Sequence, residues 1–189
     1  MTETRRGAGR FFRRRDFLPS AAIGAILAFA AAGARAQGVV EANGTRVLHD
    51  DARRGFALTV LVESPRAEER VLAALGLSTP AEKTVVVVAN QKELDRRVRE
   101  ATGSGAPDWA GAIAAPAART VWIRVDLPRN EDLAVRSLLA HEYAHLAIHE
   151  GRLKRGTPAG PPRRWTEEGF AQIAAGRLRV DDRPDLRPA

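Results

Sequence analysis

Residues 141–145 read His-Glu-Tyr-Ala-His, an H-E-x-x-H pattern, and this spacing sets a strict demand on the fold. On an α-helix, residues four apart share one face, one turn above the other. His141 and His145 can then grip one Zn²⁺ at about 2.0–2.1 Å per Zn–N bond. Glu142 sits one step around the helix, within reach of a metal-held water, as a base and not as a ligand. The chain has four histidines, and three of them (His141, His145 and His149) fall within nine residues.

Two histidines leave a tetrahedral zinc short of a ligand, because catalytic sites take three protein ligands and leave the fourth position to water. A third histidine six residues after His145, the metzincin arrangement, is excluded because that position is Gly151. Downstream stands Trp165-Thr166-Glu167-Glu168-Gly169-Phe170-Ala171. Together the two stretches resemble the gluzincin metallopeptidases, particularly the small peptidase MA-like domains and the W-x-x-E-G-F-A segment of the zinc aminopeptidases. The resemblance covers roughly residues 84–176 and is strongest at the two motifs.

The resemblance implies Glu168 as third ligand. Glu167 lies about 100° further round the helix, off that face, and reads as a solvated acid favoured by the helix dipole. Gly169, costly inside a helix, is expected to let the second helix approach the first closely. The chain also departs from the family. Gln172 stands where thermolysin-like enzymes carry an aspartate, and it could orient a ligand or face solvent. The only tyrosine, Tyr143, is turned away from the ligand face, so no oxyanion-stabilising residue is identifiable. The aminopeptidase anchor for a free N-terminus is absent, so that label does not carry over.

Residues 1–36 read as a twin-arginine-type signal peptide. Arg13-Arg14-Arg15-Asp16-Phe17-Leu18 matches R-R-x-F-L, an Ala-rich apolar run follows from Ala21 to Ala32, and Ala34-Arg35-Ala36 offers an A-x-A cleavage site. The apolar run is too short to cross a bilayer, which takes about 20 residues. The expected location is therefore periplasmic or secreted, in a bacterium, with no stable membrane association after cleavage. The whole chain carries +7, but the leader holds seven Arg against Glu3 and Asp16, so only +2 belongs to the remainder. The high pI is thus poor support for nucleic-acid binding. Cysteine is absent, so a metal site must use His, Asp or Glu.

Residues 37–180 have the length of one domain, with 181–189 read as a disordered tail. Asn43-Gly44 between β-prone residues predicts a hairpin across Val39 to Leu48. Phe56 to Val62 reads as a strand, and Ser64-Pro65 as the cap and first residue of a helix reaching Leu75. Thr84 to Ala89 is an unbroken β-branched run, expected as a buried strand. Asn90 with Glu93 starts a helix to about Ala101, with Leu94 and Val98 inward. Residues 102–118 read as a loop in which Trp109 is a packing residue or a substrate contact. Thr120 to Val125 alternates as a strand. By resemblance it is the sheet edge on which an extended peptide would lie, or else an ordinary strand. The motif helix is capped by Asn130 and ended by Gly151, and a basic loop over 152–164 leads to the second helix.

The expected fold is α+β: a single zincin-like domain with a small mixed or antiparallel sheet, an active-site helix and a following ligand-bearing helix. The expected activity is that of an exported zinc-dependent peptidase using His141, His145 and Glu168 as ligands and Glu142 as general base, with peptide or protein substrates. The competing readings are a catalytically inactive peptidase-like module that binds zinc or a peptide, and a basic envelope protein with an accidental motif. His149 could line the pocket or simply end the helix. Arg163 and Arg164 could meet acidic substrates or water. His49 reads as structural or exposed.

Overall fold

The computed structural model describes residues 37–127, 131–156 and 164–177. The leader, the tail, the Asn130 cap and Arg163 lie outside the described residues. Five strands and four helices make an α+β fold: β1 (Gln37–Ala42), β2 (Thr45–Asp50), α1 (Arg54–Leu75), β3 (Lys83–Val88), α2 (Gln91–Thr102), β4 (Ala112–Ala115), β5 (Thr120–Arg124), α3 (Glu131–Lys154) and α4 (Arg164–Ala174). The sheet is open and mixed, in the order β1-β2-β3-β5-β4. Its three central strands are parallel and both edge strands antiparallel to their neighbours.

Local chemistry explains several elements. Asn43 and Gly44 both take positive φ, 50° and 73°, which a two-residue hairpin turn requires and few other residues tolerate. The hairpin pairs Val39 with Leu48 and Gly38 with His49. A Cβ at Gly38 would fall 2.3 Å from His49 Cε1, so the glycine is needed there by close approach. His49 is buried in β2, its Nδ1 2.8 Å from the Asp50 carbonyl oxygen. In α2, Asn90 Oδ1 accepts the Glu93 N–H at 3.1 Å, and the Glu93 carboxylate accepts the Ala89 N–H at 2.8 Å, a capping exchange as expected.

The segment expected as a strand plus a new helix is one helix. α1 runs unbroken through Phe56–Val62 and carries Ser64 and Pro65 inside it. Ala57, Val60, Ser64, Ala67 and Val71 are buried at helical spacing, so the 3.6-residue period wins over the β-branched composition. Pro65 cannot donate to the carbonyl four residues back, a defect that costs about 3 kcal/mol in a helix interior. Burial of this face against α3 and β2 outweighs it.

Residues 102–118 also depart from expectation. They contain β4, which pairs with β5 and forms the sheet edge. β5 is therefore internal, between β3 and β4, and cannot be the peptide-binding edge assigned to it from sequence. Three alanines around one isoleucine, Ala-Ile-Ala-Ala, give no strand pattern, yet Ala112 and Ala114 pack on the core side with Val121 and Ile123. The Arg124 N–H donates to the Gly111 carbonyl at 3.1 Å. In an antiparallel ladder this makes the 113/122 and 115/120 positions the bonded pairs and turns the N–H and C=O of Ala112 and Ala114 to the open side.

One face of the sheet is covered by α1, α3 and α4 around Val47, Val85, Val121, Ile123, Leu139 and Leu146. The other is covered by α2 around Leu94, Val98 and Trp122. α3 is enclosed on several sides, with Val135, Leu139, Ala140, Glu142, Tyr143, Ala144, Leu146 and Ala147 all buried. It passes through Gly151 and stops at Gly156, whose φ of 62° and N–H to the Leu153 carbonyl close the last turn. Glu63 of α1, 4 % exposed, is clamped by Arg136 of α3 and Arg66 of its own helix. The hydrogen bond from Arg136 holds its carboxyl below the usual carboxylate range. Among the described residues no helix is long and apolar enough to cross a membrane.

Candidate metal centre

α3 and α4 are packed antiparallel. Arg152 near the end of α3 lies 3.0 Å from Glu167 near the start of α4. At the opposite end, a Cβ on Gly176 would sit 3.9 Å from an Arg70 guanidinium nitrogen, and Arg70 donates to Ser137 of α3. This pairing brings Glu168 over the histidine stripe. Its carboxylate oxygens lie 3.4 Å from His141 Nε2 and 3.9 Å from His145 Nε2. The two imidazoles stand edge to face, with centroids 5.1 Å apart.

His141, His145 and Glu168 each offer one donor atom, and the three atoms lie within 4.8 Å of one another. Three donors at about 2.0–2.1 Å from a tetrahedral ion would stand roughly 3.3–3.4 Å apart. The His141–Glu168 separation already fits, and the others need closing movements of an ångström or so. Glu168 is 44 % exposed on its side chain, which leaves it free to make them. The donor set, two imidazole nitrogens and one carboxylate oxygen, suits zinc. His141 Nδ1 is buried with no hydrogen-bond partner in the described structure.

The electrostatics suit a cation. Burial, followed by the nearby His145, pushes the His141 imidazole down to about 4, with Glu168 opposing. Burial lowers His145 too, against Glu168 and Glu167. Both rings are therefore neutral at pH 7, the form that ligates metal.

Glu142 is 6 % exposed. Burial pushes its carboxyl up to about 8, and the Glu168 charge adds to that effect. The Ala114 backbone N–H on the open side of β4, and more weakly the Arg177 cation, pull it back down. Edge strand, candidate base and ligand cluster thus meet at one place.

Other expected residues fall elsewhere. Glu167 is half-buried and paired with Arg152. A Cβ on Gly169 would meet nothing within 4 Å, so close helix approach is not what this glycine serves. Trp109 is 83 % exposed, which removes its reading as a packing residue. His149 is half-buried and outside the three-donor cluster. Gln172 is half-buried, and its backbone carbonyl accepts the Arg177 N–H at 2.9 Å. An apolar groove of about 520 Å³, lined by Leu75, Leu77, Ile148 and Phe170, does not open over the cluster. It lies on the other flank of α4, because Phe170 is about 160° round the helix from Glu168.

Sequence reasoning missed Arg177. It stands just past α4, after the positive-φ Gly176, and its charge bears on both His141 and Glu142. A cation following a helix-ending glycine reads as a partner for the helix dipole, and nothing local signals a role at a distant motif. No family model matches the chain, and comparison with the curated proteins and with the solved structures gave no match.

Proposed function

We propose that this chain is a zinc-dependent peptidase, held together chemically by His141, His145 and Glu168 as ligands with Glu142 as general base. The observation that carries the reading is the convergence of three donor atoms within 4.8 Å beside a buried carboxyl. A zinc ion held there would supply a Lewis acid for a peptide carbonyl and make water a better nucleophile near neutral pH. Glu142 in its ionised form would take the proton of the attacking water and return it to the departing amine, and a cation held by the three donors would favour that form over the neutral carboxyl. The outward N–H and C=O groups of Ala112 and Ala114 would hold an extended substrate as an added strand, beside Glu142. The leader pattern at residues 1–36 adds export to the same reading.

One observation favours the alternative of an inactive zinc- or peptide-binding module. The only tyrosine, Tyr143, is fully buried and bonded to Ser64, so no tyrosine can serve the oxyanion.

Metal content and cleavage of an unfolded protein substrate, measured on the wild type and on Glu142→Gln, test the proposal. The expected result is equal zinc in both and cleavage only by the wild type. Zinc without cleavage in either selects the binding module. A wild type that takes up no zinc ends the peptidase reading and the zinc-binding form of the alternative.

A further inference from the structure

A peptidase of this design needs a positive or hydrogen-bonding group where negative charge grows on the substrate oxygen. Removing one such donor typically slows an enzyme by about 10²–10³ in kcat. Tyr143 cannot supply it, because it is buried and bonded to Ser64.

The antiparallel packing of α3 and α4 sets where the end of α4 must lie. Residue 167 meets residue 152, residue 168 meets 141 and 145, and residue 176 comes beside Arg70, which bonds to Ser137, one turn before His141. Gly176 turns the chain with φ 72°, and the Arg177 N–H is tied to the Gln172 carbonyl at 2.9 Å. The backbone of residue 177 is thereby fixed at the His141 end of the cluster. Arg177 is exposed and makes no ion pair among the described residues. Among the described residues, Arg177 is the cation whose charge bears on both His141 and Glu142. Around the cluster, the groups bearing on these two residues are His145 on α3, Glu168 on α4, the Ala114 N–H on β4 and Arg177.

We infer that Arg177 is the oxyanion-stabilising residue of this site, its guanidinium donating to the substrate oxygen that becomes negative as the carbonyl is attacked. The inference rests on the peptidase reading above. A guanidinium suits the task because it stays charged at all relevant pH and presents several N–H donors in a fixed fork. Glu142 handles the proton, so Arg177 needs only to be cationic.

The test compares wild type, Arg177→Gln and Arg177→Lys, each as the zinc-loaded mature chain. Zinc content is measured first. Binding is then measured by calorimetry for two probes of one sequence: a peptide phosphonate, which mimics the anionic tetrahedral state, and the matching uncharged peptide amide. The expected result is unchanged zinc in all three proteins. Arg177→Gln should lose at least tenfold in phosphonate affinity, with less than a twofold change for the amide, and Arg177→Lys should recover part of the loss. In cleavage, Arg177→Gln should lower kcat by about 10²-fold with KM little altered. Equal weakening toward both probes, or none toward the phosphonate, overturns the assignment and leaves the metal centre standing. A wild type without zinc overturns the peptidase reading itself, and the assignment of Arg177 with it.

Discussion

The Tyr143 hydroxyl lies 2.9 Å from Ser64 Oγ, so the middle of the H-E-x-x-H motif is fastened to α1 from behind. Ser64 also bonds to the Val60 carbonyl at 2.9 Å, which leaves the tyrosine as donor in the pair. Burial raises the Tyr143 pKa, so the phenol stays protonated. With Lys83 Nζ 5.5 Å over its ring, Tyr143 holds the rotation of α3 that turns His141 and His145 toward α4. Replacing Tyr143 with Phe should lower unfolding stability by about 1 kcal/mol in urea denaturation while zinc content stays unchanged. Ser64→Ala should cost a similar amount, and the double variant less than the sum, because both remove the same bond.

Glu168 and Glu167 are neighbours with different duties. Glu168→Ala should weaken zinc binding by at least tenfold, since it removes one of three donors. Glu167→Ala should leave zinc affinity within about twofold and cost up to about 1 kcal/mol of stability through loss of the Glu167–Arg152 ion pair. Competition against a fluorescent chelator reads the first quantity and denaturant titration the second. Zinc loss from the Glu167 variant alone would move the ligand by one position.

The raised Glu142 carboxyl makes a pH-dependent prediction for metal-free protein. The folded carboxyl titrates near 8 and the unfolded one near 4.5. Between these values the unfolded chain has lost its proton and the native state has kept it, so stability falls as pH rises through that window and levels off above 8. Glu142→Gln carries no charge and should escape this loss. It should be more stable than wild type by a few kcal/mol at pH 8 and nearly equal to it at pH 4.5. Urea titrations across pH 4–9 in chelator measure the gap, and a gap that does not open with pH would refute the buried carboxyl.

His141 has the opposite sign. Its folded pKa of about 4 lies below the ordinary 6.5, so the unfolded state binds the extra proton in between. Stability is present above 6.5 and drains away as pH falls through 4. In the Glu142→Gln background, where the competing carboxyl is gone, this acid-side loss should be visible in metal-free protein. A further His141→Phe change should reduce it, the remainder coming from His145 and Glu63, whose folded pKa values are also lowered.

The open side of β4 predicts a backbone variant. Ala114 turns its N–H away from β5, so Ala114→Pro removes no ladder bond and suits an edge position. It should retain the fold and zinc, weaken peptide binding by about tenfold, and raise the Glu142 pKa further by deleting the N–H that lowers it. Calorimetry with an extended peptide and NMR titration of Glu142 follow the two effects.

Much of this protein was legible from residues close together in the chain. The Asn43-Gly44 turn, the valine run of β3, the Asn90/Glu93 cap and the His141/His145 face all rest on bonds or periodicities spanning a few positions. Glu168 was reached from a motif resemblance, and the fold brings it to the two histidines. Other features depend on partners far away in the chain. Ser64-Pro65 looked like a helix start because a proline is cheapest there, and only packing against α3 makes it a helix interior. β4 has no pattern of its own and exists because β5 offers it a ladder, which moved the sheet edge from β5 to β4. Trp109 reads from sequence as a packing residue or a substrate contact, and its exposure removes the first of these.

The amino-acid sequence by itself determined the local geometry, because helical spacing and turn chemistry act between near neighbours. The tertiary structure alone decided what surrounds the motif. Desolvation of Glu142 and His141, the Ala114 N–H and the arrival of Arg177 are all set by chain segments tens of residues away. Electric fields and burial depend on distance in space, which no reading along the chain supplies.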